Sequence, residues 1–204
     1  MIRIRTRFDK PFSQKIGIEK LYTESLPSEA ELYFMPCPSC RACGELHVHG
    51  YYSRHVVQFC GSGFADTVLR VMRLKCKSCG HTHALLPDVI VPYLQYGLAF
   101  LLKVILASYA RKKRILKICE KYGISPTNLY RWRALYLKHR KLWLSALRQK
   151  EEPEKCLIKQ LLSMNAPSDM LQQFFSKILF SFLQSHANPA NCRQRPSAGK
   201  PSGA

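Results

Sequence analysis

The first eight residues alternate. Ile2, Ile4, Thr6 and Phe8 interleave with Arg3, Arg5 and Arg7, the period of two that marks a strand buried on one face. Residues 9–30 lose that pattern, contain Pro11 and Pro27, and read as a connector. Between Cys37 and Cys79 the pattern predicts two strands, Leu46–Phe59 and Thr67–Lys75, joined through Gly61, Ser62 and Gly63. Pro87 and Pro92 then mark a change of period. Leu98, Leu101, Leu102, Ile105, Leu106 and Tyr109 recur at helical spacing, which predicts a helix within Tyr93–Ala110. Further helices are predicted over Arg111–Lys121, Pro126–Arg148, Glu154–Met164 and Asp169–Ser185. Residues 187–204, rich in Pro, Ser, Gly, Asn and Ala, are expected to be disordered.

The apolar stretch Tyr93–Ala110 raises the question of a membrane span. It is at the short limit for crossing a bilayer and carries Lys103 near its centre, so a buried helix is the better reading and no membrane partner is expected. Hydrophobic residues make up 47% of the 204, enough for a core, which excludes wholesale disorder. Charge changes the picture more. The formal net charge is +19, and residues 93–150 hold fourteen bases against one acid, Glu120. So concentrated an excess predicts a polyanionic partner, nucleic acid before any other.

The nine cysteines are odd in number and follow no export signal, so a disulfide framework is not expected; cytoplasmic, nucleoid-associated localisation is. Paired thiols in a reducing compartment point to metal. Cys37-Pro38-Ser39-Cys40 and Cys76-Lys77-Ser78-Cys79-Gly80 are two C-x-x-C turns, and two such turns supply a tetrahedral shell of four sulfurs for one structural Zn2+. Gly80 fits, because a knuckle needs a positive φ just beyond its second cysteine. Cys40-Arg41-Ala42-Cys43-Gly44 is a third C-x-x-C that also ends in glycine, so Cys43 stands as an alternative to Cys37. His81 and His83 are close enough in sequence to substitute, but four thiolates make them unnecessary. A closed shell of four cysteines leaves no open position for catalysis.

The stretch Arg114–Trp132 has the marks of a helix-turn-helix. Gly123 ends one helix, Ser125 caps the next, and Pro126 occupies its first turn. Ile118, Cys119, Tyr122, Ile124, Leu129 and Trp132 are the apolar set that would bury two steeply crossing helices. The second helix would expose Thr127, Asn128, Tyr130, Arg131 and Arg133 to base edges, with Arg111, Lys112, Lys113 and Arg114 beside them for phosphates. An ordinary helical hairpin would carry the same turn; the surrounding bases favour double-stranded DNA.

His49-Gly50-Tyr51-Tyr52-Ser53-Arg54, the run Arg73–Asp88 with its Leu85-Leu86-Pro87-Asp88, and Val91-Pro92-Tyr93 resemble a bacterial family catalogued as domain of unknown function 6431. The order of zinc ribbon then helix-turn-helix is similar to the N-terminal DNA-recognition part of insertion-sequence transposases. The resemblance implies Cys37, Cys40, Cys76 and Cys79 as ligands and a DNA-binding context, and it implies no established activity.

The expected fold class is thus α+β, a small N-terminal β zinc ribbon followed by an all-α helix-turn-helix domain with extra C-terminal helices. Its expected divisions are 1–30 strand and connector, 31–92 ribbon, 93–150 DNA-binding domain, 151–186 C-terminal helices and 187–204 tail. Beyond Trp132 the acids are Glu151, Glu152, Glu154 and Asp169, and about seventy residues are too few for a ribonuclease H-like catalytic domain, so no catalytic centre is expected. The apolar stripe from Met170 to Leu183 is expected to pack as core, with a homodimer contact as the second reading. The functional expectation is sequence-directed DNA binding; a transcriptional regulator or a zinc-ribbon protein adaptor are the alternatives.

Overall fold

The computed structural model describes residues 1–5, 17–60, 63–109, 115–163 and 168–185. These form a mixed α+β structure with a four-stranded sheet and seven helices: β1 (Ile2–Ile4), α1 (Ile18–Glu24), α2 (Glu29–Phe34), β2 (Leu46–Cys60), β3 (Gly63–Cys76), β4 (Thr82–Pro87), α3 (Leu98–Ser108), α4 (Ile115–Tyr122), α5 (Pro126–Leu147), α6 (Glu154–Ser163) and α7 (Ser168–Ile178). The sheet order is β1-β4-β3-β2. Strands β2 and β3 make a long antiparallel hairpin, in register from Leu46 opposite Cys76 to Cys60 opposite Gly63, with one irregularity between Val48 and Gly50. β4 pairs antiparallel with β3, and β1 joins parallel to β4, Ile2 beside Leu85.

The hairpin does not stand alone. Near its tip Phe59 and Phe64 pack on Phe100 of α3 with ring centroids 5.5 and 5.6 Å apart. Val57 exchanges backbone hydrogen bonds with the segment before α3, its N–H reaching the Gln95 carbonyl at 2.7 Å while its carbonyl accepts from Gly97 at 2.9 Å. Tyr96 stacks on Phe100 and meets Trp132 of α5 edge-on at 4.8 Å. Sheet and helices therefore share one contiguous core. α3 is its centre: Leu98, Phe100, Leu101, Leu102, Val104 and Ile105 are buried. Lys103 leaves that core sideways, with its ammonium 4.1 Å from the centroid of the Phe59 ring. None of the helices among the described residues is long and apolar enough to cross a membrane.

The helix expected within Tyr93–Ala110 is α3, and the strands expected at Leu46–Phe59 and Thr67–Lys75 are present with longer ends. Three expectations need correction. The connector at 9–30 contains α1 and the start of α2, the second set by a capping box in which Ser28 and Glu31 bond reciprocally. A fourth strand, β4, occupies Thr82–Pro87, which the sequence pattern leaves unassigned. The last helix stops at Ile178 rather than Ser185, because Leu179 and Leu183 take left-handed φ of 64° and 62°. The chain then folds back, and Phe182 packs on Trp143 with centroids 5.0 Å apart. Leu171, Phe174, Phe182 and Leu183 of the stripe are buried within the chain. Of the alternating start, Ile2–Ile4 is strand; residues 6–8, the Gly61-Ser62 part of the turn and the tail 187–204 lie outside the described residues.

Candidate metal centre and basic cleft

Two tight turns face each other at the base of the hairpin. In the first, the Arg41 N–H donates to the Cys37 carbonyl at 2.8 Å, and the Cys37 N–H donates to Ala42 at 2.9 Å. In the second, Gly80 donates to Cys76 at 2.9 Å and Cys76 to His81 at 3.0 Å. The pattern is the same in both, six residues closed by the same pair of bonds. Each turn needs a left-handed residue after its second cysteine; Gly80 supplies it at φ 70° and Arg41 at φ 64°. The Lys77 N–H reaches the Glu45 carbonyl at 2.9 Å and ties the turns together.

The result is a cluster of Cys37, Cys40, Cys76 and Cys79 whose sulfurs all lie within 4.8 Å of one another. Cys37 and Cys79 sulfurs are 3.7 Å apart, as are those of Cys40 and Cys76. Four sulfurs bound at about 2.3 Å to a central ion sit about 3.8 Å apart along the edges of a tetrahedron. The donor set thus fits a structural metal site. Hydrogen bonds already favour thiolate at one member: the backbone N–H of Cys79, directed at the Cys76 sulfur, helps bring that thiol down to about 7. At Cys79 the His81 N–H pulls the same way, but burial and the neighbouring sulfurs push the thiol up to about 12. Four thiolates this close repel unless a cation sits among them.

Cys43 is outside the cluster, exposed, its sulfur 3.9 Å from the Arg41 carbonyl. Gly44, whose glycine made Cys43 attractive, serves another purpose. Its φ is 75°, its N–H bonds the Tyr33 carbonyl at 2.8 Å, and a Cβ there would stand 3.0 Å from the Tyr33 ring. His81 is exposed at the turn. His83 is buried, and its Nε2 lies 3.3 Å from the Cys37 sulfur while Nδ1 faces the Met1 nitrogen at 3.3 Å. Sequence spacing offered His83 only as a substitute ligand; its place in β4 turns it toward the cluster instead.

The other chemistry-bearing region lies between sheet and helices. Gly123 at φ 61° ends α4, with Ile124 N–H bonding the Cys119 carbonyl at 3.0 Å and Gly123 N–H the Glu120 carbonyl at 3.4 Å. Ser125 caps α5 by accepting from the Asn128 N–H at 3.2 Å, with Pro126 following. Ile118, Cys119, Ile124, Leu129 and Trp132 are buried between the two helices and the core. Thr127, Tyr130 and Arg131 are exposed. Asn128 and Arg133 are not fully so: both are half-buried, and the Arg133 guanidinium lies 5.0 Å over the Tyr109 ring. Arg111, Lys112, Lys113 and Arg114 lie outside the described residues.

A cleft of about 1070 Å³ separates α5 from β2 and β3. Arg54 and Arg73 line it from the hairpin and Arg131 and Lys138 from α5, with no carboxylate among the described lining residues. Arg73 covers the Tyr52 ring at 5.5 Å. Arg54 donates to the carbonyls of Val91 and Leu94, each at 2.9 Å, and so holds the loop that carries Tyr93 at φ 63°. Asp88, of the Leu-Pro-Asp run, lines a small cavity with Arg3, whose guanidinium burial draws down to about 10 against the attraction of Asp88.

Residues 37–132 match the family described as Domain of unknown function (DUF6431). The matched span runs from the first cysteine of the cluster to Trp132, so it contains both metal-site turns, the hairpin and the α4–α5 turn. No curated protein and no solved structure shows a significant match to the chain.

Proposed function

We propose that this chain is a sequence-directed DNA-binding protein of the kind found in transposase DNA-recognition regions, with a ribbon stapled by one Zn2+ and no catalytic centre of its own. The observation that carries the reading is the pair α4 and α5. Their Gly123 end, Ser125 cap and shared apolar set are those of a helix-turn-helix, in a segment of net charge +13. In that arrangement α5 enters the major groove by its N-terminal half, where Thr127, Tyr130 and Arg131 are exposed. Arg131 is the residue to bond guanine, and Asn128, at the half-buried edge, adenine. Cys37, Cys40, Cys76 and Cys79 would hold the zinc. When bound, the ion cross-links two turns and supplies no reaction.

The test is duplex binding in rising salt, on a site selected from random sequence and on random DNA. Log K should fall linearly with log salt on both. Arg131→Ala should cost about 1–3 kcal/mol on the selected site and narrow its advantage over random duplex. Absence of salt-dependent duplex binding would overturn the reading. Cleavage of the bound duplex in Mg2+ or Mn2+ would overturn its non-catalytic part.

A further inference from the structure

We infer that the cleft between α5 and the β2–β3 hairpin seats one sugar–phosphate strand of the duplex that α5 reads, so that the hairpin and the helix pair grip DNA together. The inference rests on the DNA-binding reading and adds a second wall to it. A helix lying in a major groove is flanked by the two backbone strands, because the groove is about 12 Å wide and a helix with side chains about 10–12 Å. One strand must therefore run along each side of α5.

On one side of α5 that space is the cleft. Asn128, Arg131, Leu135 and Lys138 step down this flank at intervals of three, four and three residues, a single line about 15 Å long at about 1.5 Å per residue. Facing them are Arg54 and Arg73. A volume of about 1070 Å³ excludes a whole duplex and accommodates a stretch of one strand. Besides the base-reading Arg131, the cations Arg54, Arg73 and Lys138, with no carboxylate among the described lining residues, mark the occupant as polyanionic.

The aromatic side chains decide between backbone and bases. Single-strand sites offer open ring faces for base stacking. Here Tyr96 is already stacked on Phe100 and set against Trp132, and the Tyr52 ring lies beneath Arg73. Tyr93 keeps an exposed ring at the cleft, and the lining cations outnumber it, which suits phosphates. Arg54 holds the Val91–Leu94 wall in place, and Arg73 and Lys138, both exposed, supply contacts from opposite sides.

The experiment is a salt titration of duplex binding by the full chain, wild type against Arg73→Ala, Lys138→Ala and the exposed α6 control Lys159→Ala. Arg73→Ala and Lys138→Ala should each lower the slope of log K against log salt by about one. They should weaken selected and random duplex alike, by about tenfold. Lys159→Ala should change neither. An unchanged slope for Arg73→Ala, with wild type still binding duplex, overturns the shared grip and leaves the helix-pair reading standing. Tighter binding of a single-stranded oligonucleotide than of duplex overturns it in favour of a strand-binding channel. No binding of any DNA removes both readings.

Discussion

Cys40 and Cys43 are three residues apart and both exposed, yet only Cys40 lies with the other sulfurs. Elemental analysis of the reduced protein should therefore find about one zinc per chain; Cys40→Ser or Cys76→Ser should abolish it, while Cys43→Ser should retain it. Loss in Cys43→Ser would refute the cluster. A second residue-scale outcome concerns pH. His139 is buried, its Nδ1 accepts the Leu183 N–H at 3.0 Å, and burial lowers its pKa from 6.5 to about 4. The unfolded chain then binds this proton more readily than the folded one. The neutral ring's contribution is full above about pH 6.5 and is lost as pH falls toward 4, a loss of roughly 3 kcal/mol at most. His139→Asn, which keeps an acceptor without a titrating ring, should flatten the fall in melting temperature between about pH 7 and about pH 5. An equally steep fall in the variant would count against His139. At this scale the sequence disclosed the thiols, because C-x-x-C spacing is local. It concealed His83 against Cys37 and Arg3 near Asp88, because only the fold brings such distant residues together, the second pair through the β1–β4 pairing.

Among elements, the α4–α5 turn was legible because every signal in it is local: Gly123, Ser125 and Pro126 each act on their own backbone. Ser125→Ala should cost about 1 kcal/mol through loss of the bond to Asn128. Trp132→Ala removes a buried ring set against Tyr96 and should cost about 3–5 kcal/mol, read as a lower melting temperature with DNA binding lost in parallel. A Trp132→Ala chain as stable as wild type would show that this helix pair is not packed on the sheet. The long hairpin was legible from alternation and its glycine turn. α1 and α2 were not, since helices of seven and six residues carry too few turns for a period to emerge beside Pro11 and Pro27. β4 was hidden for a different reason. It is nearly all buried at its C-terminal end, and Leu85, Leu86 and Pro87 present a run instead of an alternation.

For the whole molecule, the shared core sets how damage spreads. The hairpin's base carries the cysteine turns, and its tip carries Phe59 and Phe64 into α3. Chelation of the metal should therefore lower the melting temperature of the helical signal in circular dichroism, as one transition rather than as separate loss of a ribbon. An unchanged helical transition in chelator would show that the helices stand without the hairpin. The cleft belongs to this scale as well, and no window of sequence displays it: Arg54 and Arg73 come from a segment of net charge +2, Arg131 and Lys138 from the strongly basic one.

The parallel strand β1 has a consequence for biosynthesis. Ile2, Arg3 and Ile4 leave the ribosome about eighty residues before their partners Leu85, Leu86 and Pro87. Throughout that interval the first strand has nothing to pair with, and the closing of the sheet waits on a loop of high entropic cost. β1 is also the cover of β4's outer edge. A chain shortened by its first five residues should leave that edge open beside Leu85 and Leu86, and self-association that grows with concentration in light scattering would be the outcome.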